Sequence, residues 1–262
     1  MHGVTFYFWS MIKNLPKSIA LELVPRSLDS LLEESRNCLS KFPLTTINVP
    51  EIRTVATKSY ESAHYLLENH VPVTPHFRMV DRSLTELIEK LGILTAIGLR
   101  EVLIIAGDPP KDPGFQPSGL TSVLAIREIR KLFPTLKIFA GLDPFRTSFR
   151  EELDCAKRKL DAGADGFYTQ PFFSVGMLEQ WMEQLPEAEV WYGIAPVLSE
   201  KSKLYWENTN KVVFPPDFTI DLDGNVRTGR ALLKSIADAK QRAYLMPVRV
   251  DAAEYVRVLL ND

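Results

Sequence analysis

Seven polar or charged residues of this sequence each stand at the end of a short apolar run. They are Glu22, Asn48, His76, Asp108, Asp143, Gln170 and Arg249. Carboxylates in such positions can donate protons or stabilise a developing cation, and an amide can hold the polar edge of a ring. The simpler interpretation of any one of them is a solvated loop residue or a helix cap. Only their convergence on one face of a fold would indicate a catalytic site.

Glu22 has the surroundings of a general acid. It lies within the apolar stretch 21–24, where partial burial would raise its pKa towards neutrality. A carboxyl that carries its proton near pH 7 is what general acid catalysis requires. The alternative is a structural strand glutamate that pairs with Arg26 or Arg249.

Asp108 closes another apolar run, in a turn of unusual composition. Gly107 before it allows a close backbone approach, and Pro109 and Pro110 after it stiffen the turn. A carboxylate fixed in this way could stabilise a developing positive charge. The alternative is a turn aspartate that binds its own backbone.

The elements that must position these residues form eight βα units. Nearly continuous apolar runs indicate parallel strands that are covered on both faces. They span 18–25, 45–50, 73–78, 101–107, 137–143, 166–172, 190–196 and 243–250. Helical spacing of apolar residues follows between them, as in 28–39 and 84–97. Ser83 and Glu86 resemble a capping box, and Gly163 a helix C-cap.

The repeat predicts one domain. Strand starts recur at a mean of about 32 residues, and no linker or change of composition divides the chain. We therefore predict a single (β/α)8 TIM barrel over 18–262, with an N-terminal extension over 1–17. The polar loop 214–223 is interpreted as an insertion on the barrel. In this fold the carboxyl ends of the strands form the active site, and those ends carry all seven residues.

Composition and missing motifs exclude several classes of protein. A net charge of −2 lacks the basic field of a nucleic-acid binder, and no apolar run is long enough to predict a membrane span. Two cysteines are too few for a disulfide scaffold, which favours a cytoplasmic setting. The sequence contains no glycine-rich phosphate loop, no serine nucleophile elbow and no strand-end lysine. Its four histidines lack metal-ligand spacing, so no metal is predicted.

Ordered motifs along nearly the whole chain resemble those of methylenetetrahydrofolate reductases. They are Ala20–Pro25, Pro75-His76, Gly107–Pro110, Lys157–Asp165 with Thr169–Phe173, and Gly193–Val197. The resemblance implies a (β/α)8 barrel that reduces 5,10-methylenetetrahydrofolate to 5-methyltetrahydrofolate with NAD(P)H, usually through bound FAD. This reaction belongs to one-carbon and methionine metabolism.

The resemblance also implies roles for individual residues. Glu22 would protonate the folate as its five-membered ring opens, and Asp108 would stabilise the resulting cation. Gln170 would hold the pterin edge. Trp206 would stack on substrate or nicotinamide, unless it is a core residue. The implied substrate-binding set is completed by Phe172 and Arg249.

The implied flavin site departs from the family pattern in about half of its residues. The candidates for cofactor binding are Asn48, His76, Gly107, Arg158 and Lys159. The last two suit a pyrophosphate, because they are cationic hydrogen-bond donors. Two routes stay open: FAD in a changed pocket, or direct transfer of hydride from the nicotinamide to the folate.

Two other classes of function stay open as well. A folate- or pterin-binding methyltransferase barrel would bind folate without consuming NAD(P)H. A non-catalytic partner subunit of a reductase would do neither alone, but it would have no need of Glu22, Asp108 and Gln170 together. Besides a small-molecule folate, the partners left open are a second copy of the chain and a partner reductase subunit.

Overall fold

The computed structural model describes residues 15–108 and 114–260. Within them, eight parallel strands close into a barrel in chain order, with β8 paired to β1. The strands are β1 (Ser18–Glu22), β2 (Thr46–Val49), β3 (Val73–Arg78), β4 (Glu101–Ile105), β5 (Lys137–Leu142), β6 (Gly166–Pro171), β7 (Glu189–Ile194) and β8 (Arg242–Leu245). The predicted (β/α)8 barrel is confirmed. Most of the predicted N-terminal extension, 1–17, lies outside the described residues.

Nine helices in the described part of the chain surround the strands. They are α1 (Leu28–Lys41), α2 (Ser59–Glu68), α3 (Leu84–Ala96), α4 (Ser122–Leu132), α5 (Phe149–Asp161), α6 (Val175–Gln184), α7 (Glu200–Asn210), α8 (Leu222–Asp238) and α9 (Ala252–Leu260). The helices predicted over 28–39 and 84–97 are confirmed to within two residues. None of the described helices has the length and apolar character needed to cross a membrane.

Short polar side chains begin most of these helices. Seven of them accept a hydrogen bond from a backbone N–H of the first turn: Ser27, Ser83, Thr121, Ser148, Ser174, Ser199 and Asp221. Such caps satisfy N–H groups that have no partner within the helix. At Ser83 the donor is the Glu86 N–H, at 3.2 Å. Gly163 follows α5 with φ +111°, which confirms the predicted C-cap glycine.

Strand residues alternate between two apolar clusters. Side chains that face the helices, such as Ile47, Phe77 and Tyr192, are buried in the main core. Side chains that face the barrel axis form a second cluster, whose aromatic members are Phe139, Tyr168, Trp191 and Tyr244. We call these four residues the aromatic layer. They fill the middle of the barrel and leave polar residues at its two ends.

Two glycines test this packing. An alanine Cβ at Gly166, at the start of β6, would overlap the Glu189 carbonyl oxygen of β7. We expect Gly166→Ala to lower the free energy of unfolding by about 1–3 kcal/mol or more.

At Gly92, inside α3, no atom lies within 4 Å of the added Cβ. Gly92→Ala should therefore raise stability by about 0.5–1 kcal/mol through helix propensity. Urea unfolding measures both, and equal stability of the two variants would contradict the packing described.

Candidate active site

Glu22 ends β1 at the mouth of the barrel, where its carboxyl meets a tyrosine. The Tyr244 hydroxyl of β8 donates a hydrogen bond to Glu22 Oε2. Burial raises the pKa of Glu22 from 4.5 to about 7, and the hydrogen bond from Tyr244 offsets part of that rise. Among the described residues, no ion pair joins Glu22 to Arg26 or Arg249, which were the alternative partners. The carboxyl can therefore hold a proton near neutral pH.

Asn48 and His76 occupy the next two strands beside Glu22. Asn48 is the partner of Glu22 in the pairing of β1 with β2, and its Nδ2 lies 3.3 Å from His76 Nε2. The His76 backbone N–H donates to Ser59 Oγ at 2.9 Å. Burial lowers the pKa of His76 to about 3, so the imidazole is neutral at physiological pH. A neutral imidazole offers one donor and one acceptor but no positive charge.

Asp108 follows β4 in a turn that requires glycine before it. Gly107 has φ +77°, and a Cβ there would lie 3.0 Å from Arg78 Nε. Arg78 Nη2 donates to the Asp108 carbonyl at 3.3 Å and to Asp81 Oδ2 at 2.9 Å. The side chain of Asp108 is exposed at the rim. The two prolines that complete the predicted turn lie outside the described residues.

A second rim carboxylate, Asp143, lies close enough to Asp108 for their charges to interact. Burial raises the pKa of Asp143, and the charge of Asp108 raises it further by a smaller amount. The Asp143 carboxylate accepts the Phe145 backbone N–H at 3.0 Å, which fixes its place after β5. Two carboxylates therefore stand on this side of the rim, with Arg146 beside Asp143.

A bulge in β6 displays Gln170 on the same rim. The pairing of β6 with β7 shifts register between Tyr168 and Pro171. Thr169 Oγ1 accepts the Gly193 N–H and donates to the Gln170 carbonyl, each at 2.8 Å. A bulge redirects side chains, and here the Gln170 side chain is exposed while Tyr168 stays in the interior. Arg249, exposed and with φ +61°, follows β8.

Two predicted substrate-binding residues lie in packed positions instead of at the mouth. Phe172 is fully buried in the main core, with its ring centroid 6.1 Å from that of Tyr192. Trp206, on α7, is 8% exposed and packs against Phe173 with ring centroids 5.8 Å apart. Both side chains are therefore packing residues in this structure, and their contact with substrate stays a prediction.

The two cations predicted to hold a pyrophosphate are also placed elsewhere. Lys159 is a buried residue of α5. Its Nζ donates to the Gly141 carbonyl at 2.7 Å and lies 4.0 Å from Glu152 Oε1. Arg158 is exposed in the last turn of α5. The α5 helix begins beside the rim. With a rise of about 1.5 Å per residue, Arg158 lies about 14 Å along the helix from that beginning. The structure does not bring either cation together with Asn48, His76 and Gly107.

Tyr244 is the site residue that sequence reasoning missed. It belongs to the apolar run 243–250, and a tyrosine in an apolar strand gives no sign of a function other than packing. The signal that could have found it is the alternation of β8, because Arg242, Tyr244 and Met246 face the barrel axis while Ala243 and Leu245 face the helices. The end of β1 carries Glu22 into the same interior.

Solved structures with similar architecture share the fold alone. Oxaloacetate acetylhydrolase aligns with a TM-score of 0.57 and 9% identity, covering 97% of this chain and 83% of its own. A 2,3-dimethylmalate lyase aligns with a TM-score of 0.58 and 12% identity, covering 94% and 80%. At these identities the likeness carries no statement about chemistry.

Sequence relatives are more specific. The 5,10-methylenetetrahydrofolate reductase of Pectobacterium carotovorum subsp. carotovorum is 26% identical over 157 residues, 57% of this chain and 52% of that protein. The enzyme of the same name from Buchnera aphidicola subsp. Schizaphis graminum (strain Sg) is 26% identical over 146 residues, 53% and 50%. The chain thus spans about half the length of these curated relatives. A family model described as methylenetetrahydrofolate reductase matches residues 29–242, and the chain belongs to that family.

Proposed function

We propose that this protein reduces 5,10-methylenetetrahydrofolate to 5-methyltetrahydrofolate, with NAD(P)H as the hydride donor. The observation that carries the proposal is the carboxyl of Glu22, which stands at the mouth of the barrel with a pKa of about 7. Family membership supplies the substrate class, and the names of the curated relatives supply the reaction. In this role the protein would supply methyl groups for methionine formation in the cytoplasm.

The first step is a proton transfer that opens the five-membered ring of the folate. Glu22 gives its proton to N10 while the bond from N10 to the bridging carbon breaks. The lone pair of N5 then forms a double bond to that carbon, which yields a cationic iminium and the Glu22 carboxylate. The carboxylates of Asp108 and Asp143 lie on the same end of the barrel, where negative charge stabilises such a cation.

The second step is hydride transfer. The reduced nicotinamide gives a hydride to the iminium carbon, which becomes the methyl group, and NAD(P)⁺ is released. Glu22 then regains a proton from solvent, so one NAD(P)H and one proton are consumed in each turnover. The Gln170 amide can donate to and accept from the pterin edge, since it carries both kinds of group.

The contacts of Lys159 and Arg158 do not support a pyrophosphate site formed by these two cations. Lys159 is engaged with Gly141 and Glu152, Arg158 lies towards the far end of α5, and His76 is neutral. Among the described residues, neither of the two cations predicted for the pyrophosphate stands free at the mouth. These contacts support direct transfer of hydride from the nicotinamide to the folate, without FAD as an intermediate carrier.

Replacing the acid tests the reaction. Glu22→Gln keeps an acceptor for Tyr244 but cannot donate the proton, so we expect reductase activity to fall by about 10²–10⁴-fold. Folate affinity should stay within a few-fold. Glu101→Gln, which alters an interior glutamate at the opposite end of the barrel, is the control and should retain activity. Full activity of Glu22→Gln would remove Glu22 as the proton donor.

The pH profile tests the protonation state of the same group. If the acid form of Glu22 is required, kcat/KM should be level below pH 7 and fall about tenfold per unit above it. Steady-state rates between pH 5 and 9 measure this dependence. A rate that rises with pH through this range would contradict the acid role.

The hydride route is tested by spectrum and turnover. We expect the purified protein to show no flavin absorbance near 450 nm and to oxidise NAD(P)H with methylenetetrahydrofolate at a rate that added FAD leaves unchanged. Yellow protein with a releasable flavin would overturn direct transfer. Folate binding without NAD(P)H oxidation would favour the methyltransferase class. A purified protein that neither binds folate nor oxidises NAD(P)H would favour a partner subunit.

Stability should depend on pH through Glu22. Its pKa is higher in the folded protein than in the unfolded chain, so its contribution to stability is complete below pH 4.5 and is lost as the pH rises to 7. Between pH 5 and 8 the free energy of unfolding should fall by about 2–3 kcal/mol more in wild type than in Glu22→Gln. Parallel pH dependence in the two proteins, measured by urea unfolding, would refute this.

A further inference from the structure

We propose that Tyr244 is a positioning residue, which fixes the proton of Glu22 on Oε1 and orients the acid. The catalytic role of Tyr244 rests on the proposed function, whereas its hydrogen bond to Glu22 does not depend on that function. Tyr244 lies in none of the sequence motifs that resemble those of the family.

Packing around the ring of Tyr244 holds its hydroxyl towards Glu22. Tyr244 is 3% exposed, and its ring meets the ring of Tyr168 edge-on with centroids 5.0 Å apart. Tyr168 is in turn stacked on Trp191, with centroids 5.2 Å apart and an angle of 6° between the planes. Rings packed in this way have few alternative rotamers. The hydroxyl therefore approaches Glu22 from a fixed direction.

The hydrogen bond distinguishes the two oxygens of the Glu22 carboxyl. A phenol has one proton to donate, and Tyr244 gives it to Oε2. An oxygen that already accepts this bond is the poorer place for the acid proton. The proton of neutral Glu22 therefore sits on Oε1, the oxygen that Tyr244 leaves available to a ligand. Without Tyr244 the proton would be shared between both oxygens.

Several groups surround this pair, and Tyr244 stays a donor across the working pH range although the contact with Asn48 lowers its pKa. Asn48 of β2 contacts the hydroxyl, and Tyr168 of β6 lies beside it with Glu101 of β4 behind. Neutral His76 of β3 contacts Asn48. Burial is the main reason that the phenol of Tyr244 stays protonated, and the neighbouring charge of Glu22 acts in the same direction.

The chain offers a matched control on the neighbouring strand. Tyr192 of β7 is also buried, at 1% exposed, but its side chain faces the helices. Its hydroxyl makes no hydrogen bond among the described residues. Tyr192→Phe thus removes the same atom from an equally buried ring without touching Glu22.

The experiment compares Tyr244→Phe with Tyr192→Phe in the full chain. Protein labelled with ¹³C at glutamate side-chain carboxyls is titrated by NMR without substrate, and the Glu22 signal is identified by its absence in Glu22→Gln. Because a donor to the carboxylate is lost, we expect Tyr244→Phe to raise the pKa of Glu22 by about one unit or more. Tyr192→Phe should leave it unchanged.

Turnover provides the second readout. In Tyr244→Phe, kcat at pH 6 should fall severalfold with KM unchanged, and the alkaline fall of activity should move upward with the pKa. Wild-type kcat in Tyr244→Phe would overturn the positioning role. So would a Glu22 pKa within a few tenths of wild type. A shifted pKa in a protein with no reductase activity would support the contact and refute the proposed function.

A measurement on wild type covers the case in which Tyr244→Phe fails to fold. The hydroxyl proton of Tyr244 is buried, and its bond to Glu22 should give a downfield proton resonance. That resonance should shift as the pH passes 7 and should change in Glu22→Gln. A Tyr244 hydroxyl signal that stays the same both through pH 7 and in Glu22→Gln would overturn the proposal.

Discussion

Closure of the sheet between β1 and β8 is the constraint on which the site depends. The pairing runs from Ser18 with Arg242 to Leu21 with Leu245, and it joins the first strand to the last. The hydrogen bond from Tyr244 to Glu22 spans 222 residues of sequence. Each strand supplies only one of the two side chains. The acid and its partner exist together only when all eight strands have found their order, so the chemistry reports on complete folding.

Exclusion of water from the barrel interior sets the charge state of the groups near the mouth. Burial raises the pKa of Glu22 to about 7 and lowers that of His76 to about 3, so near pH 7 the histidine is neutral and the glutamate is about half protonated. Asp108, Asp143 and Arg249 stand at the rim above them. A buried acid with a pKa near 7, close to rim carboxylates, is suited to a reaction in which the acid gives up its proton and a cation forms beside it.

Most of the fold could be predicted because its signals are local. Continuous apolar runs identify strands covered on both faces, and the strand-end rule then places Glu22, Asp108 and Gln170 on one rim. Register and bulges are not local. Gln170 is displayed because β6 shifts against β7, and Phe172, two residues later, falls into the core for the same reason. A motif that gives the order of these residues does not reveal which face each occupies.

For helical residues too, a sequence motif does not reveal the direction in which each side chain points. Arg158 and Lys159 belong to the most specific sequence motif, but adjacent residues of a helix point in different directions. One side chain is exposed and the other is buried against β5. Tyr244 was missed because a tyrosine in an apolar strand usually serves packing. Its hydroxyl acquires a role only from Glu22, whose place opposite it depends on closure.

The aromatic layer divides the barrel into two compartments. Below it, Glu189 holds ion pairs with Lys137 at 3.1 Å and Arg242 at 3.2 Å at the amino ends of the strands. Above it, burial and the hydrogen bond from Tyr244 set the pKa of Glu22. The layer keeps the ion pairs at one end of the barrel out of contact with the acid at the other. Stability can therefore be altered at the lower end without changing any side chain that touches Glu22.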